Sequence, residues 1–329
     1  MATVTVIVRL VVATVCSFFT LCGVAFGAGG PVIPSASFGG AGVTGPPATP
    51  ASEFRYVTGL GGSHGSVVAK VNRETGSIPQ FAFLDDDWTL PAVTIFGDAG
   101  GLSADGEALV LVRPVYRPRV ERTELRIMST RRLRTIDRIT LRGTFGFDAI
   151  SPDGRRLYLI QYRDPRDPLD YRVREYDVAA AELRAGAIVD PDEPDEKMTG
   201  QPVSRKASND GRWVYTLYAS GEETFVHALD TERGIAQCID LEGFAGNTAY
   251  QLRLEIDRTT GALTVFDKNE PAATIDRATL AVRPLAEQPA TSAADGGDAD
   301  WVGAAAVGSG IALLAATTLL LLRRRRATA

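Results

Sequence analysis

Cysteine, histidine and lysine are scarce in this 329-residue chain, and each scarcity removes a class of chemistry. The cysteines are Cys16, Cys22 and Cys238. The first two fall in an N-terminal apolar segment, and its removal leaves Cys238 alone. A mature chain with one thiol has no intrachain disulfide, so its stability must come from an apolar core. Cys238 sits in the strand-like run Ile235–Leu241 and reads as a buried, inert thiol rather than a reactive one. His64 and His227 are the whole histidine complement, too few for a Cys/His zinc set. Amphipathic helical periodicity is almost absent from the middle of the chain. Lysine occurs at positions 70, 197, 206 and 268, and every other basic residue is arginine.

What is present is an ordinary globular composition, 45% hydrophobic and 23% charged, enough to build a core. The arginine-for-lysine skew, with much alanine and glycine, resembles the coding bias of a GC-rich bacterial genome. Residues 1–27 read as a signal peptide. Arg9 supplies the charged start, Leu10 to Val24 the apolar run, and Ala25 and Gly27 the small residues of a cleavage site before Ala28. An uncleaved N-terminal membrane helix is the alternative. At the other end, residues 301–322 carry no charge and span ~33 Å as a helix at ~1.5 Å per residue. Arg323, Arg324, Arg325 and Arg326 follow directly, and four arginines beside a span place that end in the cytoplasm. The expected product is a single-pass protein of the cell membrane, with its N-terminal ectodomain outside and its C-terminus cytoplasmic. The region from Pro289 and Thr291 through the span also resembles a sortase sorting signal. Gln288 and Ser292 stand where that pattern has leucine and glycine, so the chain is expected to stay in the membrane.

Without Arg9 and the four tail arginines, 30 basic residues face 40 acidic ones outside the cell. A net charge of −10 on the ectodomain argues against nucleic acid as a partner. Residues 28–52 form a Gly/Pro-rich lead, 287–300 an acidic stalk and 323–329 a cytoplasmic tail, which leaves 53–286 as the folded ectodomain.

Alternating runs such as Arg156–Tyr162 and Trp213–Tyr218, punctuated by turn residues, predict an all-β fold. Two repeats run in register. One is an Asp-Gly turn before a strand: Ser103-Ala-Asp-Gly106, Ser151-Pro-Asp-Gly154, Ser208-Asn-Asp-Gly211 and a degenerate Arg258-Thr-Thr-Gly261. Glycine accepts positive φ there and aspartate caps its own turn. The other is a strand ending in a turn-starter, at Asn72, Ser129, Asp177, Asp230 and Asp276, in steps of 57, 48, 53 and 46 residues. Units of about 50 residues match the four-stranded blade of a β-propeller. The third unit is the clearest, with strands expected at Phe145–Ile150, Arg156–Tyr162, Tyr171–Val178 and Leu183–Val189.

Around Ser151-Pro-Asp-Gly-Arg-Arg-Leu-Tyr-Leu159 the chain resembles the WD40-like repeat of TolB and YVTN-type propellers, over roughly Phe54 to Leu285. The resemblance implies an all-β propeller of about five four-stranded blades and says almost nothing about activity. Two departures bear on blade number: the first unit lacks its Asp-Gly turn, and those families usually have six or seven blades.

Candidate chemistry is sparse. Gly61-Gly-Ser-His-Gly65 has the form of a hydrolase nucleophile elbow, but a strand-like run rather than a helix follows it. The acidic runs Asp85–Asp87 and Asp190–Glu196 could offer oxygen ligands to calcium, and exposed loops are the favoured reading. Ten arginines between Arg113 and Arg142 read as outer strand faces rather than a basic patch. Tyr158, Tyr162, Tyr215 and Tyr218 read as core. No residue is assigned a catalytic, cofactor-binding or metal-binding role. The leading expectation is a cell-surface binding or scaffold module for a protein or an envelope polymer. Extracytoplasmic hydrolase or lyase, and accessory subunit of a membrane complex, are the alternatives.

Overall fold

The computed structural model describes residues 42–45, 49, 52–60, 65–114, 121–164, 167–195, 198–220, 223–244, 247–257 and 259–285. The expected signal peptide, most of the lead, the stalk, the span and the arginine tail lie outside the described residues. Among the described residues no helix is long and apolar enough to cross a membrane.

The described residues are all-β apart from a short 3-10 turn at Asn247–Gln251, and they are laid out as five antiparallel meanders in sequence order. The first holds β1 (Phe54–Leu60), β2 (Ser66–Asn72) and β3 (Gln80–Leu84). The second holds β4 (Ala108–Val112), β5 (Arg122–Ser129) and β6 (Arg134–Arg142). The third holds β7 (Thr144–Ile150), β8 (Arg156–Asp164), β9 (Asp167–Asp177) and β10 (Glu182–Leu183). The fourth holds β11 (Gln201–Ala207), β12 (Trp213–Ala219), β13 (Thr224–Asp230) and β14 (Ile235–Asp240). The fifth holds β15 (Leu252–Ile256), β16 (Leu263–Asp267), β17 (Glu270–Ile275) and β18 (Val282–Pro284). In the two three-stranded sheets isolated bridges stand where an innermost strand would run: Val43 with Tyr56 in the first, and Leu102 with Leu109 and Thr89 with Val112 in the second. The third unit agrees with its four expected strands within a few residues, apart from the last, which is cut to Glu182–Leu183 plus a bridge at Ile188.

Both repeated turns fall where the repeats put them, and hydrogen bonds explain their sequences. In Ser151-Pro-Asp-Gly154 the Gly154 N–H donates to the Ser151 carbonyl at 3.0 Å, and the Ser151 hydroxyl donates to Asp153 Oδ1 at 2.6 Å. The Ser151 Oγ also accepts from the Arg156 N–H at 3.0 Å, clasping the turn to the next strand. The same clasp recurs at Ser103 with Ala108 and at Ser208 with Trp213. Gly154 takes φ 72°, and a Cβ there would meet the Ala108 Cβ of the second sheet at 2.8 Å. Successive turns touch, since the Asp105 N–H donates to the Pro152 carbonyl at 3.0 Å.

The Asn72 class works differently. At Asn72, Asp177, Asp230 and Asp276 the starter side chain accepts from following backbone N–H groups, and in all five turns the residue four positions after the starter is left-handed: Gly76, Leu133, Ala181, Gly234 and Leu280. The degenerate copy ending at Gly261 belongs to this class rather than to the Asp-Gly class. Asp257 Oδ1 accepts from Thr259 and Thr260, and the Gly261 N–H donates to the Asp257 carbonyl at 2.8 Å.

A meander cannot bury both faces alone, so neighbouring sheets share cores. Tyr56, Val68, Leu109 and Met128 join the first sheet to the second. Val110, Ile127, Phe147 and Leu159 join the second to the third. Tyr158, Val173, Val214 and Leu229 join the third to the fourth, with Tyr171, Tyr218 and Phe225 further along the same seam. Leu217, Val226, Leu254 and Val265 join the fourth to the fifth. Among the described residues no such core joins the fifth sheet back to the first. The free face of the first sheet carries Val57, Val67, Ala69 and Val71 together with Phe81, 55% exposed, and Phe83, 73% exposed.

Candidate binding cavity

The innermost segments of all five units line one cavity of about 350 Å³. Val43 and Thr44 come from the first unit, Asp98 to Leu102 from the second, Phe147 and Asp148 from the third, Arg205 and Lys206 from the fourth, and Glu255 and Ile256 from the fifth. Gly100 is required in this wall, because a Cβ would meet the side chain of Val93 at 2.6 Å and of Phe147 at 3.2 Å. The loop before it reaches across the middle. The Ile95 N–H donates to the Pro202 carbonyl at 2.9 Å, tying the second unit to the fourth without passing through the third. Antiparallel meanders sharing cores around a common cavity are the architecture of a β-propeller.

Charge in the cavity is organised by a bulge. Strand β7 slips register between Phe147 and Ala149, so Asp148 has no cross-strand partner and its side chain is re-aimed. Arg205 meets it with a fork: Nη1 donates to the Asp148 carbonyl and Nη2 to Oδ1. Its Nε donates to Thr216 Oγ1 at 2.9 Å. Asp148 is 1% exposed, and its Oδ2 has no partner. On the fifth sheet, Glu255 takes Arg253 at 2.8 Å and Lys206 at 3.4 Å. Asp98 Oδ2 accepts from the Thr94 hydroxyl at 2.9 Å.

From the cavity a polar row runs outward across the fourth sheet. Arg205, Thr216, His227 and Cys238 stand opposite one another on β11, β12, β13 and β14. They lie on the sheet face turned toward Tyr162 and Tyr171 of the third sheet. His227 Nε2 and Tyr218 Oη are buried without partners, and the two rings stand edge to face at 6.3 Å. Burial holds the His227 imidazole below its usual range, while the Asp148 charge works the other way. Burial also pushes the Tyr218 phenol up, and the Asp148 charge adds to the push.

The sequence-level candidates are scattered rather than brought together. Residues 61–64 of the Gly-x-Ser-x-Gly stretch, His64 among them, lie outside the described residues. Strand β2 begins directly after it, antiparallel to β1, so a strand and not a helix follows. Asp85 pairs with Arg138 at 3.2 Å and Asp86 with Arg113 at 3.5 Å. Among the described residues no three His, Cys, Asp or Glu side chains converge as a metal site. Residues 191–195 are exposed as expected, and Asp190 alone departs from that reading. Asp190 is buried, and its carboxylate accepts from the N–H groups of Cys238 and Asp192, both at 2.9 Å. Cys238 is half-buried rather than fully buried. The arginine-rich stretch does face outward along β6, but Arg126 is buried beneath Trp88, 4.4 Å from the ring. Tyr158, Tyr215 and Tyr218 are core. Sequence reading missed the Asp148–Arg205 pair, and the one local signal was Asp148, a charged residue inside the apolar strand β7.

No protein-family model matches the chain, and no curated protein is similar to it. Solved structures align at low identity. TolB from Acinetobacter baumannii aligns at 13% identity and TM-score 0.38, over 67% of this chain and 50% of that one. The Cps50 (Swd1) β-propeller domain of Myceliophteria thermophila aligns at 9% and 0.44, over 74% and 69%. The Dos1 propeller aligns at 10% and 0.39, over 73% and 57%. The chain thus spans half the length of the TolB structure that it matches. These likenesses are slight, and the propeller architecture rests on the chain's own sheets and their shared cavity.

Proposed function

We propose that this chain is a membrane-anchored, five-bladed propeller that acts as a recognition or scaffold module on the outer side of the cell membrane. Its partner is a protein or an envelope polymer. The observation that carries the reading is the convergence of Asp98, Asp148, Arg205, Lys206 and Glu255 from four units on one cavity. Rigid sheets hold these groups in place, which suits binding. The anchor rests on the apolar run 301–322 and the arginines after it.

Two measurements test the proposal. Protease added to intact protoplasts should remove the ectodomain and leave a small arginine-tailed stub, whereas a fully protected ectodomain overturns the topology. The full-length chain in vesicles should retain a protein or polymer fraction of the envelope. Lys206→Glu should weaken that retention at least fivefold with an unchanged unfolding midpoint. Retention indifferent to Lys206 moves the binding surface away from the cavity.

A further inference from the structure

Two candidates fall short. Asp148 Oδ2 and the two unpaired Arg126 nitrogens are sealed from any ligand. The apolar face of the first sheet shows nothing of what covers it.

The third sheet carries more. Around it Arg155 pairs with Asp153, Arg156 with Glu175, Arg163 with Asp170, and Arg184 with Glu175 and Asp177. Arg172 and Arg174 have no carboxylate partner among the described residues. Asp170 is two residues from Arg172 on the same strand face, but Arg163 Nε already donates to it at 2.8 Å. Both arginines share one neutral acceptor instead: Gln161 Oε1 takes Arg172 Nε at 2.9 Å and Arg174 Nη1 at 2.8 Å.

Phe145, Gln161 and Arg172 stand opposite one another on β7, β8 and β9, on the face turned to the second sheet. Arg174, 8% exposed, stands opposite Leu159 of the same core, and its Nε has no partner. Burial and the Arg172 charge both hold the Arg174 guanidinium below its usual range, and no carboxylate works against them. Two like charges on one neutral amide leave this place short of an anion.

The unused donors are within reach of a ligand. Arg172 and Gln161 are half-buried. The two Arg172 Nη groups and Gln161 Nε2 have no partner among the described residues, and none of the three is sealed from solvent. Gln161 has one orientation here, because Oε1 faces both guanidinium groups and turns Nε2 away from them. A guanidinium fork beside an amide N–H suits the two oxygens of a carboxylate. Arg174 is buried and Arg163 is engaged, so Arg172 is the cation that a ligand touches, which fits a singly charged carboxylate better than a doubly charged phosphate.

We propose that Arg172 and Gln161 form a carboxylate-binding site at the seam between the second and third sheets. Arg172 Nη1 and Nη2 donate to the two oxygens of the ligand, and Gln161 Nε2 donates to one of them. Arg174 is a positioning residue that holds Gln161 from behind. None of these residues lines the cavity, so the site goes beyond the recognition reading and stands apart from it. The carboxylate is supplied either by a free acid or by an acidic side chain of a partner protein.

The test uses the full-length chain in lipid nanodiscs, with empty nanodiscs as blank. Acetate, inorganic phosphate, acetyl-Gly-Glu-Gly-amide and its neutral counterpart acetyl-Gly-Gln-Gly-amide are titrated near neutral pH and followed by ligand-observed NMR. The acidic peptide should bind at least fivefold more tightly than the neutral one. Arg172→Gln should remove that preference, and Lys206→Glu in the cavity should leave it unchanged. Gln161→Glu supplies the missing carboxylate from within, so it should abolish the preference and raise the unfolding midpoint. That gain should at least halve in an Arg174→Met background, because Arg174 contributes part of the charge that the new carboxylate meets. Tighter binding of the acidic peptide than of acetate identifies a partner's side chain as the source, and the reverse identifies a free acid. Equal binding of the two peptides overturns the proposal, as do a preference indifferent to Arg172→Gln, a midpoint lowered by Gln161→Glu, and tighter binding of phosphate than of acetate.

Discussion

The first and fourth sheets are built from similar strands, seven residues each in β1, β2, β11, β12 and β13, yet they meet their surroundings in opposite ways. Every residue of β13 is buried, including His227 and Thr224, because the third and fifth sheets cover both faces of the fourth. In the first sheet, β3 alternates exposed and covered positions, and Phe81 and Phe83 stand in the open against each other at 5.7 Å. Apolar side chains therefore mark both faces of both sheets, and only the presence of a neighbour decides which become core. Polar groups report coverage more reliably. Arg205 and Thr216 tolerate burial in the fourth sheet because they bond to each other and Arg205 also bonds to Asp148, whereas His227 Nε2 is left without a partner.

The sharpest way to break this comparison is to cut one large side chain to alanine in each sheet. Arg205→Ala leaves Asp148 buried and unpaired and should destabilise by about 3–5 kcal/mol, the cost of breaking a buried ion pair. Phe83→Ala on the open face should change stability by less than about 0.5 kcal/mol, as surface changes do. Urea unfolding of the two variants, with equal midpoints, would erase the distinction between the sheets.

The next effect concerns backbone. Gly154→Val forces a β-branched residue into φ 72° and against Ala108, and should cost at least about 1–3 kcal/mol. Gly59→Val, in the first sheet with nothing within 4 Å of its Cβ, should be neutral or stabilising by up to about 1 kcal/mol. A loss at Gly59 as large as that at Gly154 would mean that the open face is covered.

A smaller effect depends on pH. His227 has a folded pKa held below the unfolded value of about 6.5. As pH falls below that value the unfolded chain takes up a proton that the native chain refuses, so stability declines. The unfolding midpoint should therefore drop between pH 7.5 and 5, and His227→Phe should flatten the drop. The depressed carboxylates Asp153 and Asp230 lose their contribution only lower, below about pH 4. In Asp230 burial opposes the charge, and Arg212 with two backbone N–H groups outweighs it. A slope unchanged by the substitution would place the titrating group elsewhere.

The smallest effect is Ala181→Gly, which relieves φ 52° at an exposed turn and should add about 0.5–1 kcal/mol.

Sequence alone reaches the local features here. Asp153, Gly154, Asn72 and Gly76 act within a few residues of themselves, so their turns could be read directly. Leu133, Ala181 and Leu280 hide the same left-handed position, because no glycine marks it. The cavity was not legible at all. Asp148 and Arg205 lie 57 residues apart, and the bulge that brings them together leaves no compositional trace. Arg126 looked like its exposed neighbours, and only the tertiary placement of Trp88 sets it apart.

The hydrogen bond from Ile95 to Pro202 also imposes an order of assembly. As the chain leaves the ribosome each unit can close on its own turns, but the Ile95 amide has no partner until the fourth sheet has been synthesised. A nascent chain that ends before Gln201 therefore carries its second unit untethered at the axis. Fast hydrogen exchange at Ile95 in such a truncated chain, and slow exchange in the whole one, would date the moment at which the fourth unit joins the cavity wall.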